Sequence, residues 1–395
     1  MIQSTPETLA VVGVSFPFRG GIAHYSTLLV RSLRLRHRVE FITFRRQYPN
    51  ILFPGKTQYD QSTNPIREDN VALIDSTNPL TWIQTARQLN RLRPQLIVFN
   101  WWHPFFGMAY GSIIQLLERD LRRRVCFLCH NVRPHETHFL ERILCQYAFR
   151  HVEYFIVHSE EDRRTLLQLK PAARVQRNGH PVFGQFSDEH MPSKAAARTR
   201  LGLPPDRNVL LFFGLIRPYK GLGYLIEAMP QVLKSLDCSL LVAGEFYDDK
   251  SKYTKLIDAH QLGPHVRLED KYISNEEVAV YFAAADVVVL PYVEASQSGI
   301  VPIAYSFNTP VISTRVGGLP EAVIDGQTGF LVDPGSSERL AETILRYYQG
   351  GYEQEFRDRI RACVKRFDCE EEIRNIEYFA KLADESLGTS RMSSL

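Results

Sequence analysis

The feature that most constrains this chain is an alternation that runs through it twice. Short apolar runs are each followed by a helical pattern. In the first half the runs are "LAVVGVSF" (Leu9–Phe16), "VEFITF" (Val39–Phe44), "QLIVFNW" (Gln95–Trp101), "RVCFLCHN" (Arg124–Asn131) and "YFIVHS" (Tyr154–Ser159). Helical patterns cover 22–35, 80–92, 109–122 and the region around 140–151. Near-continuous Val, Ile, Leu and Phe in a strand, alternating with helices, indicates a parallel sheet covered on both faces.

A polar, Pro- and Gly-containing stretch, "NGHPVFGQFSDEHMPSKAAARTRLGLPPDRN", then interrupts the pattern and reads as a linker leading into a second domain. Beyond it the alternation resumes. Strands are expected at 209–215, 239–245, 265–270, 286–292, 309–314 and 329–335, and helices at 223–235, 253–261, 275–284, 297–307, 319–324 and 337–349. A charged helix follows from Gln354, and "GTSRMSSL" reads as a flexible tail. The fold class is therefore α/β, with two doubly wound Rossmann-like domains facing across a cleft. The expected boundaries are 1–182, 183–370, and a C-terminal helix and tail at 371–395 that packs back on the first domain. A length of 395 residues fits two or three domains of roughly 100–200 residues each.

Net charge is +3, but its distribution is uneven. Residues 1–181 hold 24 Lys+Arg and 14 Asp+Glu, a balance of +10; the remainder holds 47 − 24 = 23 and 44 − 14 = 30, a balance of −7. Nucleic acid, a phosphorylated ligand and an acidic membrane surface are the anionic partners this admits, beside an ordinary basic surface. The Arg-rich pieces "RSLRLRHR" and "LERDLRRR" flank apolar helices, which fits either a solvated face or a peripheral contact with an anionic membrane. No recognised nucleic-acid motif accompanies the basic half.

Of the six cysteines, only Cys126 and Cys129 form a C-x-x-C, and they lie in a strand pattern with no second pair at zinc spacing. They read as buried thiols of a reducing cytosol. The N-terminus lacks a basic and then apolar leader, and no apolar run approaches the ~20 residues needed to span a bilayer. A cytoplasmic protein is expected, soluble or peripheral at the inner face of a membrane.

The residues that carry chemistry fall just after strands, where ligands of doubly wound sheets bind. In "SFPFRGGIAHY", Gly20 and Gly21 open a helix, as a simple turn or as a close approach to an anion. In "LLFFGLIRPYKGLGYLIEA", Arg217 and Lys220 stand between a buried strand and a helix start, which suits a phosphate or diphosphate. In "LPYVEASQSG", Gln297, Ser298 and Gly299 offer helix-start amides, and Glu294 brings a carboxylate suited to sugar hydroxyls. In "RVGGLPEAVIDG", Glu321 lies in the first turn of a short helix, where it also simply favours the dipole. "FNWWHPFFG" follows another strand. Its Trp101, Trp102 and His103 serve either a sugar acceptor or the core. "HNVRPHETH" gathers His130, Arg133, His135, Glu136 and His138, as a metal set or a ligand-binding loop.

These stretches, in this order, resemble the nucleotide-sugar-dependent glycosyltransferases of family 4, which have the GT-B fold. The matching elements are "RGGIAHY", "CHNVRPHE", "FFGLIRPYKG", "LPYVEASQSG" and "TPVISTRVGGLPEAVIDGQTGFLV". The resemblance implies a retaining transfer from an NDP-sugar, UDP- or GDP-linked, to a hydroxyl of a glycan, glycolipid or small molecule. It implies no metal and no cofactor, the NDP-sugar being a co-substrate. It assigns the donor diphosphate to Arg217 and Lys220, a phosphate-covering turn to Gly20 and Gly21, the transferred sugar to His130 and Glu294, and further donor contacts to Gln297, Ser298, Gly299 and Glu321. Backbone groups around Tyr272 and Ile273 would form the base pocket. Acceptor binding would fall to the first domain, including Trp101, Trp102, His103, Arg133 and His135.

Two departures stand out. The family commonly has a second Glu eight positions after the first, where this chain has Pro302, and Arg directly after the joint's Gly, where this chain has Leu215. Lys220 matches the family's lysine; Arg217 is displaced along the loop. An epimerase or phosphorylase of the same fold would need a proton-abstracting carboxylate set or a cofactor-bearing lysine, and neither signature occurs. A non-catalytic sugar-nucleotide-binding protein, or an epimerase of this fold, stands as the alternative.

Overall fold

Two parallel sheets, one in each of two units, organise the chain, as seen in a computed structural model that describes residues 7–49, 53, 55–132, 139–181, 191–364 and 368–392. The first unit draws on Met1–Asp60, Pro65–Asn178 and Cys369–Leu395, the second on Gln61–Asn64 and Gly179–Asp368.

The first sheet is built from β1 (Thr8–Val12), β2 (Arg38–Arg46), β3 (Val71–Asp75), β4 (Leu96–Trp101), β5 (Val125–Cys129), β6 (Tyr154–Val157) and β7 (Arg174–Arg177), in the order β3-β2-β1-β4-β5-β6-β7. Its helices are α1 (Gly21–Leu33), α2 (Pro79–Leu92), α3 (Gly107–Leu116), α4 (Arg119–Arg122), α5 (Phe139–Phe149) and α6 (Glu160–Leu169). The central strands β4, β5 and β6 are buried at every position, as both-face coverage requires. The outer strands β3 and β7 do not stand out in the sequence. Both are short and partly exposed, and β7 is polar as well, which helps edge strands avoid pairing with other chains.

The second unit begins with α7 (Lys194–Arg200), and its sheet holds β8 (Asn208–Phe213), β9 (Cys238–Ala243), β10 (Val266–Glu269), β11 (Val287–Leu290), β12 (Val311–Thr314) and β13 (Gly329–Val332), in the order β10-β9-β8-β11-β12-β13. The covering helices are α8 (Leu222–Leu233), α9 (Lys250–Ala259), α10 (Asn275–Ala284), α11 (Ile300–Ser306), α12 (Leu319–Ala322), α13 (Ser337–Gln349) and α14 (Glu353–Cys363). One apolar cluster lies on each face of this sheet.

The last helix, α15 (Glu370–Met392), belongs to the first unit. Its Ile373, Ile376, Phe379, Ala380 and Ala383 recur at helical spacing and are buried, with the Phe379 ring 4.9 Å from that of Tyr154. Arg36–Glu370 (2.7 Å) and His37–Glu377 (2.9 Å) flank that seam. The helix continues through residues 388–392, correcting the expectation of a flexible tail there. No helix of the described residues is long and apolar enough to cross a membrane.

Candidate functional site

In the second sheet, β8 lies between β9 and β11, so successive crossovers leave it in opposite directions. The gap this opens beyond the carboxyl ends of β8 and β11 is the ligand-binding place of a doubly wound sheet. Gly214 follows β8 with φ 100°, and a Cβ there would press on Ile300 Cδ1 (3.1 Å) and Lys220 Nζ (3.3 Å). The Ile216 amide donates to the Glu245 carbonyl (2.9 Å) and the Tyr247 amide to the Ile216 carbonyl (2.9 Å), tying this loop to the one after β9. Arg217 lies over the Tyr247 ring at 5.0 Å. Pro218–Lys220 then form one tight turn, ended by Gly221 at φ 68°, where a Cβ would overlap the Pro291 carbonyl oxygen.

That turn delivers Lys220 inward. The residue is 8% exposed, and its Nζ stands 5.4 Å from the centre of the Tyr292 ring. Among the described residues it makes no ion pair. Burial lowers its pKa from the usual lysine value; Tyr219 pulls it upward and Arg217 adds to the lowering. Holding an ammonium out of water without a carboxylate costs stability, only partly offset by the aromatic face.

The other two joints lock onto this one. The Val293 amide donates to the Tyr219 carbonyl (2.8 Å), the Gly318 amide to the Ser296 carbonyl (2.9 Å), and Thr314 Oγ1 to the Tyr292 carbonyl (2.6 Å). Gly317, at φ 51°, touches the Ala295 carbonyl so closely that a side chain would overlap it. Ser298 is buried; its Oγ is 3.3 Å from Tyr292 Oη and accepts from the Ile300 amide at 3.3 Å. Gln297 packs against Gly318, and Gly299 caps α11. Lys220, Tyr292, Ser298 and Gln297 thus form one contiguous group, with Arg217 on the Tyr247 side. Glu294 is exposed at the tip of its loop, and Glu321 is exposed in the first turn of α12. Tyr272 and Ile273 follow β10, which is separated from β8 by β9; Ile273 is buried in the apolar cluster with Phe213 and Tyr281, and Tyr272 is half-buried.

The first unit has its own reversal, at β1 and β4. Gly20, at φ 107°, precedes α1, and a Cβ on either Gly20 or Gly21 would meet nothing within 4 Å. His130 ends β5, 4% exposed, its amide donating to the Trp101 carbonyl (2.8 Å). The Tyr25 ring stands edge-on to the His130 ring, with centroids 4.4 Å apart at 89°. His158, which ends β6, lies 5.4 Å from His130 between ring centroids.

The aromatic reading of the acceptor side needs correction. Trp101 is 0% exposed and packs on Phe149 (4.8 Å) and Phe127 (5.6 Å), so it fills the core. Trp102 is partly buried against Phe106 (4.4 Å), and His103 Nδ1 accepts from the Phe105 amide (3.1 Å), capping a short turn. Arg133 and His135 lie outside the described residues, as do Glu136 and His138. Cys126 and Cys129 are buried free thiols whose pKa values burial pushes well up. Among the described residues, no three His, Cys, Asp or Glu are grouped to hold a metal ion.

Tyr25, His158 and Tyr292 are site neighbours that the motifs alone do not single out. The two histidines had a signal: "CFLCH" and "YFIVH" each end a buried strand, and β5 and β6 are neighbours.

Against known proteins, residues 207–350 match the family described as Glycosyl transferases group 1. D-inositol 3-phosphate glycosyltransferase of Streptomyces griseus subsp. griseus is 34% identical over 178 residues, 42% of this chain and 38% of that protein. Alpha-D-kanosaminyltransferase of Streptomyces kanamyceticus is 28% identical over 283 residues, 68% of this chain and 72% of that protein. The chain spans about two fifths of the length of the first curated relatives it matches. Anabaena HepE, solved in complex with UDP and glucose, aligns with a TM-score of 0.69 at 18% identity over 97% of this chain and 100% of its own, a likeness of fold. Residues 207–350 thus carry the likeness to the group 1 glycosyl transferases, and the two parallel sheets match the GT-B fold.

Proposed function

We propose that this protein transfers a sugar from an NDP-sugar to a hydroxyl of a glycan, glycolipid or small-molecule acceptor, with retention at the anomeric carbon and without a required metal ion or cofactor. The observation that carries this reading is Lys220, a buried ammonium without an ion-pair partner among the described residues, set at the reversal of the second sheet. An anionic ligand there would supply the missing countercharge. A nucleotide-sugar diphosphate is the ligand that both the family domain and the UDP-bound HepE structure favour.

In the transfer, the bond from C1 of the sugar to the β-phosphate oxygen breaks, and its electron pair stays on the phosphate. The acceptor oxygen forms the new bond to C1 on the same face, and its proton passes to the leaving phosphate. Lys220, Arg217 and amides near Ser298 and Gly299 stabilise the charge that develops, and such stabilisation supplies much of the rate in many enzymes. Glu294 and His130 contact the transferred sugar, Gly20 and Gly21 cover the phosphates, and Tyr272 and Ile273 offer backbone groups to the base. In place of the family's second Glu, other groups hold the ribose. The basic first half supports a cytoplasmic protein in peripheral contact with an anionic membrane.

The test is turnover of a panel of UDP-, GDP- and ADP-sugars by the full chain, with acceptors present and chelator added. Turnover of one donor, with the product anomer retained, is expected. Tight donor binding with neither transfer nor hydrolysis would replace the enzyme by a binding protein.

A further inference from the structure

Behind His130 lies a line of buried polar side chains that the transfer chemistry does not use. Glu372, on α15, is 0% exposed. Its Oε2 is hydrogen-bonded to the Tyr25 hydroxyl and lies 3.4 Å from Asn178 Nδ2. The same hydroxyl is 3.3 Å from His158 Nε2. His158 Nδ1 is 3.4 Å from the Asn178 carbonyl, which closes the loop back towards Glu372. Tyr25 and His158 are 2% and 1% exposed. Every member belongs to the first unit.

Proton accounting limits what this line can be. The Asn178 carbonyl only accepts, so His158 Nδ1 carries a hydrogen. Tyr25 has one hydrogen and two neighbours. With Glu372 neutral, its O–H donates to Tyr25, Tyr25 donates to His158 Nε2, and the line runs in one direction without net charge. With Glu372 ionised, the Tyr25 hydrogen turns to the carboxylate, and His158 Nε2 faces an oxygen lone pair unless it takes up a proton. Burial favours the neutral form and pushes Glu372 up to about 8, while its bonds to Tyr25 and Asn178 pull it back. Its Oε1 is buried with no hydrogen-bond partner among the described residues, an arrangement far costlier for a carboxylate than for a neutral acid.

An apolar side chain would fill this place at less cost. What Glu372 adds is a fixed Tyr25, and Tyr25 is the side chain whose ring edge meets His130. We propose that Glu372 is a positioning residue: brought in by the C-terminal helix, it holds Tyr25 so that the Tyr25 ring fixes the His130 imidazole and the Tyr25 hydroxyl fixes the tautomer of His158. The relevance to catalysis rests on the role given to His130 under the proposed function; the coupling itself does not.

Among the described residues, the ionisable groups around Glu372 are few. Tyr25 comes from α1, Cys126 from β5 and His130 from its end, and His158 from the end of β6. Cys369 and Glu370 lie beside it in sequence, and Glu370 is paired with Arg36. None supplies a fixed positive charge that would hold the carboxylate ionised at neutral pH.

The experiment uses the full chain labelled with ¹⁵N-histidine, in the wild type and in the variants Glu372→Leu, Glu372→Gln and Tyr25→Phe. Imidazole tautomers are read by NMR, and donor turnover is followed against pH. Glu372→Leu is expected to shift the His130 and His158 resonances and to lower kcat about tenfold at unchanged donor KM, the mark of lost orientation rather than lost binding. Glu372→Gln, which still hydrogen-bonds Tyr25, is expected to restore most of that loss and to remove an alkaline fall in kcat near pH 8. Tyr25→Phe removes the same hydrogen bond from the other side, so it is expected to move His158 and, through the unanchored ring, His130 as well. A folded Glu372→Leu variant with unmoved imidazoles overturns the proposal; if it does not fold, unmoved His158 in Tyr25→Phe does so. If the wild type turns over no donor, the functional reading fails while the resonances still decide the coupling.

Discussion

The two sheet reversals share a topology and differ in charge. At β8 and β11, three joints interlock through carbonyls pressed against Gly221 and Gly317, and they hold a buried cation that makes no ion pair among the described residues. At β1 and β4 and the strands beside them, an acid, a phenol and two imidazoles are packed together: hydrogen bonds link Glu372, Tyr25, His158 and Asn178, and the His130 ring meets the Tyr25 ring edge-on. Under the proposed function, an anion from outside would complete the first arrangement. In the second, the partners named above all belong to one unit. A charge buried at a cost in stability marks a candidate ligand site, whereas a hydrogen-bonded network fixes geometry.

The largest effect that would break this contrast lies at Lys220. Replacement by Met keeps the volume and removes the charge. Donor turnover is expected to fall by about 10²–10³-fold in kcat, the scale for losing one group that stabilises developing charge. The same change is expected to stabilise the ligand-free protein by roughly 1 kcal/mol, seen as a higher thermal midpoint, because a buried ammonium is gone. Steady-state kinetics and thermal denaturation of one variant read both. Loss of turnover together with loss of stability would mean that Lys220 is structural.

A second effect tests whether the second unit's joints form one rigid piece. Gly317 combines a positive φ with direct contact on the Ala295 carbonyl. Gly317→Ala must displace the Glu294–Gln297 loop, and it is expected to cost about 2–3 kcal/mol, beyond the ~1 kcal/mol of a strained backbone alone. Gly326, also at positive φ (71°) but with open space around its Cβ, serves as the control and is expected to lose only the smaller amount. Equal losses at the two positions, measured by chemical denaturation, would mean that the joints are not locked together.

The same physics explains what the sequence could and could not reveal. Central strands are legible because burial on both faces leaves uninterrupted apolar runs, as in "VCFLC" and "VVVL". The edge strand "RVQR" is illegible because half its surface is solvated. Lys220 is legible because a cation between two glycines at a strand end is chemically odd. Its Tyr292 platform is not, since the pairing depends on which strands are neighbours. Trp101 misleads because an aromatic at the last position of a buried strand is as useful to the core as to a ligand. Glu372 has no local signature at all. It is one of three consecutive glutamates, and only the return of α15 to the first unit takes this one out of water.

That burial gives the smallest and most specific effect. The carboxyl of Glu372 is raised from 4.5 to about 8 in the folded chain, so the folded state holds its proton more tightly than the unfolded state. The resulting stabilisation is fully present below pH 4.5 and is lost as pH rises through about 8. Its slope is at most about 1.4 kcal/mol per pH unit for one proton. Glu7 is also raised, chiefly by burial, with His37 and Lys381 opposing the rise and Glu377 and Asp384 adding to it, so the raw pH profile of the first unit contains more than one group. The difference between wild type and Glu372→Gln isolates the one in question, because Glu7 is common to both. Hydrogen exchange of the β4 and α15 amides from pH 5.5 to 8.5, corrected for intrinsic rates, reads the first unit without requiring the whole chain to unfold in a single step. The stability advantage of the wild type over the Gln variant is expected to shrink steadily across that range. A constant difference would show that Glu372 is ionised throughout, and the contrast between a self-neutralised first site and an anion-seeking second one would be lost.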